Sequence, residues 1–340
     1  MADLLSQVAW RANRYLEGLD TRAVAPSEQV LNSLAVLDEP LPECPTDPDV
    51  VLDLLDRIGS PATVATAGGR FFGFVHGGCL PVALAANWLA GAWDQNAVLY
   101  ASSPIASRLE EVAQRWLTQL LQMPDDCGVA FVSGATMASF TGLAAARTAI
   151  LDRLDWDVEA DGLFGAPPLT VVVSEETHPS VSKALGLLGL GRRRVVRVPV
   201  DDQGRMRAEA FPKLVEPAIV CVQAGNVNTG SVDPIGRICE LAHASDAWVH
   251  VDGAFGLWAK ASPSLAPFLA GVEQADSWAT DAHKWLNVPY DSGLAFVRDS
   301  AFLTRAMALT AAYIRRKCMR SREASRRPTR GAGSAGGRQT

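Results

Sequence analysis

The sequence has few cysteines, and none of them stands in a pattern that makes a metal site or a disulfide framework. Six cysteines occur among 340 residues, and no two of them form a Cys-x-x-Cys pair. They are scattered along the chain, at Cys44, Cys79, Cys127, Cys221, Cys239 and Cys318. We therefore expect no bound metal and no disulfide scaffold, which favours a reducing, cytoplasmic compartment.

Long apolar runs are also missing. No uncharged apolar stretch approaches the roughly 20 residues that a membrane-spanning helix needs, so we expect no membrane span. Residues 1–25 lack the basic start and apolar core of a signal peptide. The composition that is present, 48% hydrophobic and 20% charged residues, is typical of a soluble globular protein with one large domain and a smaller appendage.

Positive charge is scarce in most of the chain and concentrated at its end. The net charge is −6, yet residues 315–340 hold nine Lys or Arg residues and one Glu. This segment is rich in Gly, Ser and Arg and has no hydrophobic periodicity, so we expect a disordered basic tail. Without interleaved aromatic residues its charge gives only unspecific attraction to polyanions. We therefore predict no nucleic-acid partner, with a nucleic-acid-binding arm as the alternative.

The hydrophobic pattern changes along the chain. Residues 1–25 and 47–58 have apolar positions at helical spacing, and residues 61–125 are helical with glycine-rich breaks. From about residue 129 on, short β-branched runs alternate with helical stretches. We divide the chain into an N-terminal helical segment (1–60), a large domain (61–314) and the basic tail (315–340).

The second half of the chain predicts an α/β fold, with a mostly parallel sheet covered by helices on both faces. Seven short runs are apolar at consecutive positions, as in strands buried on both sides. They span 128–132, 169–174, 194–200, 218–223, 247–253, 277–280 and 293–299. Helical patterns follow residues 134, 179, 207 and 235. In such a sheet, functional groups gather beyond the carboxyl ends of the strands.

The first of these strand ends is rich in small residues. Ser133-Gly134-Ala135-Thr136 follows the first run and opens a helix. Backbone N–H groups at such a helix start can bind an anion, and Thr136 adds a hydroxyl. Ordinary helix capping is the more common role of small residues at this position, so the segment carries little weight by itself.

Two further strand ends carry polar side chains. His178 stands before a proline at a predicted helix start, where an exposed capping residue is the simplest interpretation. The loop AGNVNTGSVDP places Asn226, Asn228 and Thr229 after the fourth run, and in isolation it is an ordinary turn. Neither segment identifies a function alone.

The two remaining strand ends supply a carboxylate and an amine. Asp252 ends a run too apolar to leave a charge unpaired, so it is either bonded to loop N–H groups or a functional acid. Lys284 follows His283 in the segment DAHKW, beside a strand and a tryptophan. It is either a lysine whose amine reaches solvent or a desolvated amine able to attack a carbonyl.

Together these residues are the set that pyridoxal phosphate requires. A lysine forms a Schiff base, an acidic residue pairs with the pyridinium nitrogen, an imidazole stacks on the ring, and a helix start binds the phosphate. Each feature is weak alone, but their occurrence in order at successive strand ends favours pyridoxal phosphate as the cofactor.

Several segments resemble a known family. THPSVSKA, HVDGAFG and DAHKWLNVPYDSG, together with FFGFVHGG and SSPIASRLEEVAQRW, resemble the group II pyridoxal-phosphate-dependent decarboxylases, the aromatic-L-amino-acid and glutamate decarboxylase family of fold type I. The resemblance covers roughly residues 40–314. It implies that the large domain, residues 61–314, binds pyridoxal phosphate. It also implies a homodimer that acts on a small-molecule amino-acid substrate.

The resemblance also implies a role for each residue at the strand ends. Lys284 would carry the Schiff base, and Asp252 would keep the pyridine nitrogen protonated. Ala254 would pack on one face of the ring, and His178 would stack on the other face and assist protonation. Tyr313 falls where the family has the tyrosine of its mobile catalytic loop. Phosphate contacts would come from Ser133, Gly134, Ala135, Thr136 and His283.

Three features depart from the family pattern. Asp281 stands where relatives often carry asparagine, and a carboxylate near a phosphate is unfavourable unless it points away or is protonated. Asn226-Val227 stands where many relatives have Thr-Thr, which leaves the cofactor contacts of Asn226 and Thr229 open. Relatives also continue into a small C-terminal domain whose pattern is absent after about residue 314, so we expect a truncated or frame-shifted chain.

The implied function is decarboxylation of an L-amino acid to the corresponding amine and CO₂. Lys284, His178, Asp252 and Tyr313 are the predicted catalytic residues. An aminotransferase or another fold-type-I enzyme is the alternative within the same class. A non-catalytic remnant of the fold is the alternative from a different class. Phe71, Phe72 and His76 lie in the stretch FFGFVHGG, which by resemblance lines the pocket, and they favour an aromatic or aliphatic substrate side chain.

Overall fold

The computed structural model of the chain describes residues 2–215 and 217–308. The predicted catalytic residue Tyr313 and the predicted basic tail, residues 315–340, lie outside the described residues. The described chain contains seven strands: β1 (Gly128–Val132), β2 (Thr170–Ser174), β3 (Val195–Val198), β4 (Ala218–Gln223), β5 (Trp248–Asp252), β6 (Ser277–Asp281) and β7 (Gly293–Val297). Each of the seven predicted runs therefore forms a strand.

The strands make one sheet in the order β1-β7-β6-β5-β4-β2-β3. Neighbours from β3 to β6 run parallel, whereas β7 lies antiparallel between β1 and β6. The prediction of a mostly parallel sheet is confirmed. The central strands are buried along their whole length, which explains why their sequences are apolar at consecutive positions.

Helices cover both faces of the sheet. Their bounds are α1 (Ala2–Glu17), α2 (Glu28–Ser33), α3 (Pro48–Leu54), α4 (Ser60–Ala62), α5 (Pro81–Trp93), α6 (Pro104–Leu120), α7 (Ala135–Asp152), α8 (Val158–Asp161), α9 (Pro179–Leu187), α10 (Ile235–His243) and α11 (Ser300–Met307). Alternate strand residues serve opposite faces. Val171 and Ile219 pack with residues of α7, α9 and α11, and Val220 and Val249 pack with residues of α10. Among the described residues no helix is both long and apolar enough to cross a membrane.

The helix predicted after residue 207 does not form, so that prediction was wrong. Residues Ala208–Ala210 make a single 3₁₀ turn, and Phe211 is already extended, with φ −62° and ψ 130°. The next residue, Pro212, explains this, because a residue before proline avoids the helical region and proline has no N–H to donate.

The N-terminal region is helical in shorter pieces than predicted. The first helix ends at Glu17 rather than near residue 25, and α3 continues through a π-helical turn at Leu55–Gly59. Arg11 and Arg14 both pair with Asp56, which fastens α1 to that turn. The stretch 63–80 between α4 and α5 has no regular secondary structure, and Phe74 and Val75 of this stretch line the cavity described next.

Candidate active site

The predicted site residues that follow β2, β4, β5 and β6 meet at one edge of the sheet. These strands are parallel, so their carboxyl ends point in the same direction. Side chains from these ends enclose a cavity of about 390 Å³. Its lining includes Lys284, Asp252, His178, Ala254 and Asn226, together with Glu176, Phe74, Val75 and Phe255.

Asp252 supplies a buried acid to this cavity. It is the last residue of β5 and is 5% exposed. Its Oδ1 accepts a long hydrogen bond, 3.3 Å, from the backbone N–H of Ala254. Burial raises the pKa of Asp252, and the electrostatic influence of the neighbouring His178 and Lys284 counteracts that shift. A buried carboxyl held this loosely is suited to pair with a cationic N–H group in the cavity, such as a pyridinium.

Lys284 lies in the turn after β6, and its amine is ion-paired. Its Nζ lies 2.8 Å from Oδ2 of Asp281. Gly77 packs directly on this turn, because a Cβ built on Gly77 would lie 1.9 Å from the carbonyl oxygen of Lys284. The neighbouring Gly78 donates its N–H to Oδ1 of Asn287 at 2.8 Å. The backbone that carries the lysine is therefore held by a segment distant in sequence.

His178 is the N-cap residue of α9. Its Nδ1 accepts the backbone N–H of Ser180 at 3.3 Å and lies 2.7 Å from the Ser180 hydroxyl. Because a backbone N–H can only donate, Nδ1 is an acceptor, and the neutral imidazole carries its proton on Nε2. The capping role and the functional role are thus compatible, since capping occupies only one ring nitrogen.

The start of α7 and the end of β6 meet through Asp281. The backbone N–H of Ala135 donates to Oδ1 of Asp281 at 2.5 Å. A Cβ built on Gly293 would lie 2.4 Å from Cα of Gly134, so glycine at position 293 lets β7 approach this junction closely. Ser133 is exposed and Thr136 is half-buried here. Of the four small residues predicted to bind phosphate, Gly134 and Ala135 therefore lie beside Asp281, and none of the four lines the cavity itself.

His283 also faces this junction. Its Nε2 lies 3.5 Å from Oδ1 of Asp281, its Nδ1 accepts the N–H of Ser292 at 3.0 Å, and its ring stacks on Tyr290 with 4.1 Å between centroids. Burial lowers the pKa of His283, and the charge of Asp281 counteracts that shift. With Nδ1 engaged as an acceptor, the neutral ring presents an Nε2–H donor toward the start of α7.

The two polar residues of the loop after β4 have different surroundings. Asn226 lies in the cavity wall, and its Nδ2 donates to Oε2 of Glu176 at 2.8 Å. Thr229 is exposed, and its hydroxyl donates to the carbonyl of Gln203 at 2.8 Å. The structure therefore brings Asn226 to the cavity and turns Thr229 toward the loop around Gln203.

Several contributors to the site were not predicted from the sequence. Glu176 lines the cavity, and Gly77 and Gly293 permit its closest backbone approaches. In the stretch predicted to line the pocket, Phe74 and Val75 do so rather than Phe71, Phe72 and His76. Phe74 and Val75 both have positive φ, 56° and 54°, which is uncommon for any residue except glycine and especially so for the β-branched Val75. The paired aromatics and glycines of FFGFVHGG are a sequence signal of special backbone geometry, whereas nothing around Glu176 marks it.

The arrangement fits pyridoxal phosphate on chemical grounds. An amine, a buried acid and an imidazole share one cavity, and a helix start that presents N–H donors adjoins it. One residue complicates the fit, because Asp281 already accepts the Ala135 N–H that a phosphate would use. In the described part of the chain, no group of three or more His, Cys, Asp or Glu side chains is placed to hold a metal ion.

Comparison with known proteins decides the family. A family described as the pyridoxal-dependent decarboxylase conserved domain matches residues 32–324. The chain belongs to this family. The chain is 31% identical over 287 residues to an aromatic-L-amino-acid decarboxylase of Bacillus atrophaeus, covering 82% of this chain and 58% of the relative. It is 29% identical to the aromatic-L-amino-acid decarboxylase of Sus scrofa, covering 88% of this chain and 65% of the relative. It therefore spans less than two thirds of the length of these relatives.

Solved structures show the same fold. Oryza sativa TDC, solved with PLP and tryptamine, superposes with a TM-score of 0.85 and 25% identity, covering 95% of this chain and 68% of the other. Mouse CSAD superposes with a TM-score of 0.83 and 25% identity, covering 92% and 68%. The predicted family, the fold-type-I architecture and pyridoxal phosphate as the cofactor of the family are confirmed.

Proposed function

We propose that this chain decarboxylates an L-amino acid to the corresponding amine and CO₂, with pyridoxal phosphate bound in the cavity at the edge of the sheet. The observation that carries the proposal is that Lys284 and Asp252 line the same cavity. One supplies an amine for the aldehyde of the cofactor, and the other supplies an acid for its ring nitrogen.

When bound, pyridoxal phosphate supplies an electron-accepting ring that takes up the electron pair left at Cα as CO₂ departs. The role of Asp252 follows from its burial. Its raised pKa means that the carboxylate is costly to ionise without a cationic partner. Pairing with a ring N–H keeps Asp252 charged, and the same contact keeps the proton on the ring nitrogen.

Lys284 and His178 divide the remaining tasks. Lys284 would hold the cofactor through Nζ, and Gly77 fixes the backbone from which that side chain extends. His178 keeps a proton on Nε2 at the cavity wall, because Ser180 engages Nδ1. A proton must be delivered to Cα after CO₂ leaves, and His178 is the group that we assign to this delivery. Tyr313 stays a predicted contributor to the same step.

The cavity wall favours a substrate with an apolar side chain. Phe74, Val75, Val227 and Phe255 contribute apolar surface to it. Relatives named for aromatic L-amino acids and for tryptophan support the same class of substrate. We therefore propose an aromatic or aliphatic L-amino acid as the substrate.

The proposal is tested by measuring amine and CO₂ release from tryptophan, tyrosine, phenylalanine, leucine and glutamate with added pyridoxal phosphate. We expect release from the aromatic or aliphatic substrates, whereas keto-acid formation would identify an aminotransferase. Lys284→Ala is expected to abolish both CO₂ release and the visible absorbance of covalently held cofactor. The matched control is Lys260→Ala, because Lys260 pairs with Glu273 outside the cavity. Covalent cofactor binding that persists in Lys284→Ala contradicts the assignment.

We also propose that the chain forms a homodimer in the cytoplasm. The dimer is supported by α5 and α6, which are rich in apolar residues and have no buried residue in the described chain. Val82, Leu89 and Trp93 of α5 are exposed at spacings of one helical face. The cytoplasmic location is supported by the five cysteines in the described part of the chain. All five are free thiols, as is usual in a reducing compartment.

A further inference from the structure

The carboxylate of Asp281 lies among three nitrogen groups at the end of β6. Its Oδ1 accepts the Ala135 N–H at 2.5 Å and lies 3.5 Å from Nε2 of His283. Its Oδ2 lies 2.8 Å from Nζ of Lys284. The residue is 3% exposed, and its carbonyl accepts the indole N–H of Trp258 at 2.8 Å, which fixes its backbone. The carboxylate is therefore held in one position by groups on three different parts of the chain.

The groups around this position favour negative charge. Ala135 begins α7, an 18-residue helix whose N-terminal N–H groups and dipole favour negative charge. The neutral ring of His283 adds an Nε2–H donor, and the Lys284 amine adds a positive charge. These groups are suited to a phosphate, yet the side chain of Asp281 supplies the negative charge that they bind.

We propose that Asp281 is a built-in counter-anion that competes with the phosphate of the cofactor for the start of α7. This inference rests on the proposed cofactor function. The Ala135 N–H cannot serve both anions fully, and two negative groups at one helix start repel each other. Asp281 also pairs with the amine that must bind the aldehyde, so cofactor binding replaces both of its principal contacts. The phosphate therefore contributes less to cofactor affinity than it would beside a neutral residue.

The test compares a phosphorylated with an unphosphorylated aldehyde. Dissociation constants of pyridoxal 5′-phosphate and pyridoxal are measured by visible absorbance for the wild-type protein and for Asp281→Asn. The ratio of the two constants isolates the contribution of the phosphate, because any change in the lysine affects both aldehydes. We expect the preference for the phosphorylated form to rise about tenfold in Asp281→Asn, the order expected when a like charge beside a phosphate is removed. Inorganic phosphate is expected to compete more strongly in the variant.

Asp155→Asn is the matched control, since it removes one negative charge from an exposed position after the other end of α7, outside this cluster. It is expected to leave the ratio unchanged. If Asp281→Asn is recovered unfolded, Asp281→Ser serves instead. A ratio that stays the same or falls in the variant overturns the counter-anion role, even though both aldehydes bind. Absence of covalent binding of either aldehyde to the wild-type protein would instead refute the proposed cofactor function.

Discussion

Asp252 combines a buried position with a need for negative charge. Its residue exposure is 5%, and burial raises its pKa above the ordinary value of 3.8. The folded protein therefore holds the Asp252 proton more tightly than the unfolded chain does. By linkage, the contribution of Asp252 to stability is greatest below pH 3.8 and is lost as the pH rises through the raised folded value. At neutral pH, and without the cofactor, this residue costs stability.

Asp252→Asn is accordingly expected to stabilise the protein prepared without cofactor and to impair the reaction. The free energy of unfolding at pH 7 should rise by about 1–3 kcal/mol, because a neutral amide replaces a buried charge. CO₂ release should fall by roughly 100-fold or more, since the ring nitrogen loses its ionic partner. Urea denaturation across a pH series measures the first effect, and product assays measure the second. An unchanged unfolding midpoint would show that Asp252 is not desolvated.

Single residues of this site differ in how far the sequence reveals them. Asp252 and Lys284 could be predicted because each interrupts an apolar context at a strand end, where an uncompensated charge is costly. The ion pair between Asp281 and Lys284 could not, because it depends on the conformation of the turn after β6. The tautomer of His178 likewise depends on a hydrogen bond that only the folded helix start defines.

The segment 63–80, which has no regular secondary structure, packs against the turn that carries Lys284. Gly77 touches the backbone of Lys284 and His283 so closely that a Cβ would lie 1.9 Å from the Lys284 oxygen and 2.9 Å from the His283 oxygen. A Cβ built on the next residue, Gly78, would make only ordinary contacts, 3.7 Å to Oδ1 of Asn287 and 3.9 Å to the carbonyl oxygen of Ala67. Two adjacent glycines therefore have different structural requirements.

Gly77→Ala is expected to push this segment away from the lysine turn, whereas Gly78→Ala is expected to be nearly neutral. We expect Gly77→Ala to lower the free energy of unfolding by roughly 1–3 kcal/mol and to weaken pyridoxal phosphate binding. Thermal unfolding and a cofactor titration measure the two effects. Equal behaviour of the two alanine variants would argue against close packing of Gly77 on Lys284.

At the scale of secondary-structure elements, the strands could be predicted from the sequence, whereas the conformations of the loops could not. Apolar β-branched runs indicated all seven strands, because burial on both faces restricts composition at every position. The helix expected after residue 207 failed because one proline outweighed a short periodic pattern. The position of residues 63–80 could not be predicted. Contacts such as that of Gly77 depend only on the close approach of two backbone segments, so they leave no periodic pattern in the sequence.

The whole molecule presents an apolar face that the described chain does not cover. Val82 and Leu89 of α5 are 74% and 55% exposed, and Trp116 of α6 is 65% exposed. Exposed apolar side chains on these two helices support an interface, and a second copy of the chain is the proposed occupant.

Leu89→Glu is expected to weaken self-association, because it places a charge at the centre of this face. The dissociation constant of the dimer should rise at least about tenfold. Sedimentation equilibrium measures it, with Phe164→Glu as the control, since Phe164 is 98% exposed in a loop outside this face. A wild-type protein that sediments as a monomer at all concentrations would contradict the proposed dimer.

The pairing of β1 with β7 affects when the chain can fold. These are the first and last strands of the sheet in sequence, and Val132 lies opposite Gly293. As the chain leaves the ribosome, β1 emerges long before β7. Until β7 has been synthesised, α7 cannot pack on the complete sheet. Such distant pairing slows folding and leaves apolar surface uncovered in the meantime. The loop at the start of α7 therefore acquires its final shape only after the nascent polypeptide has been synthesised past residue 297.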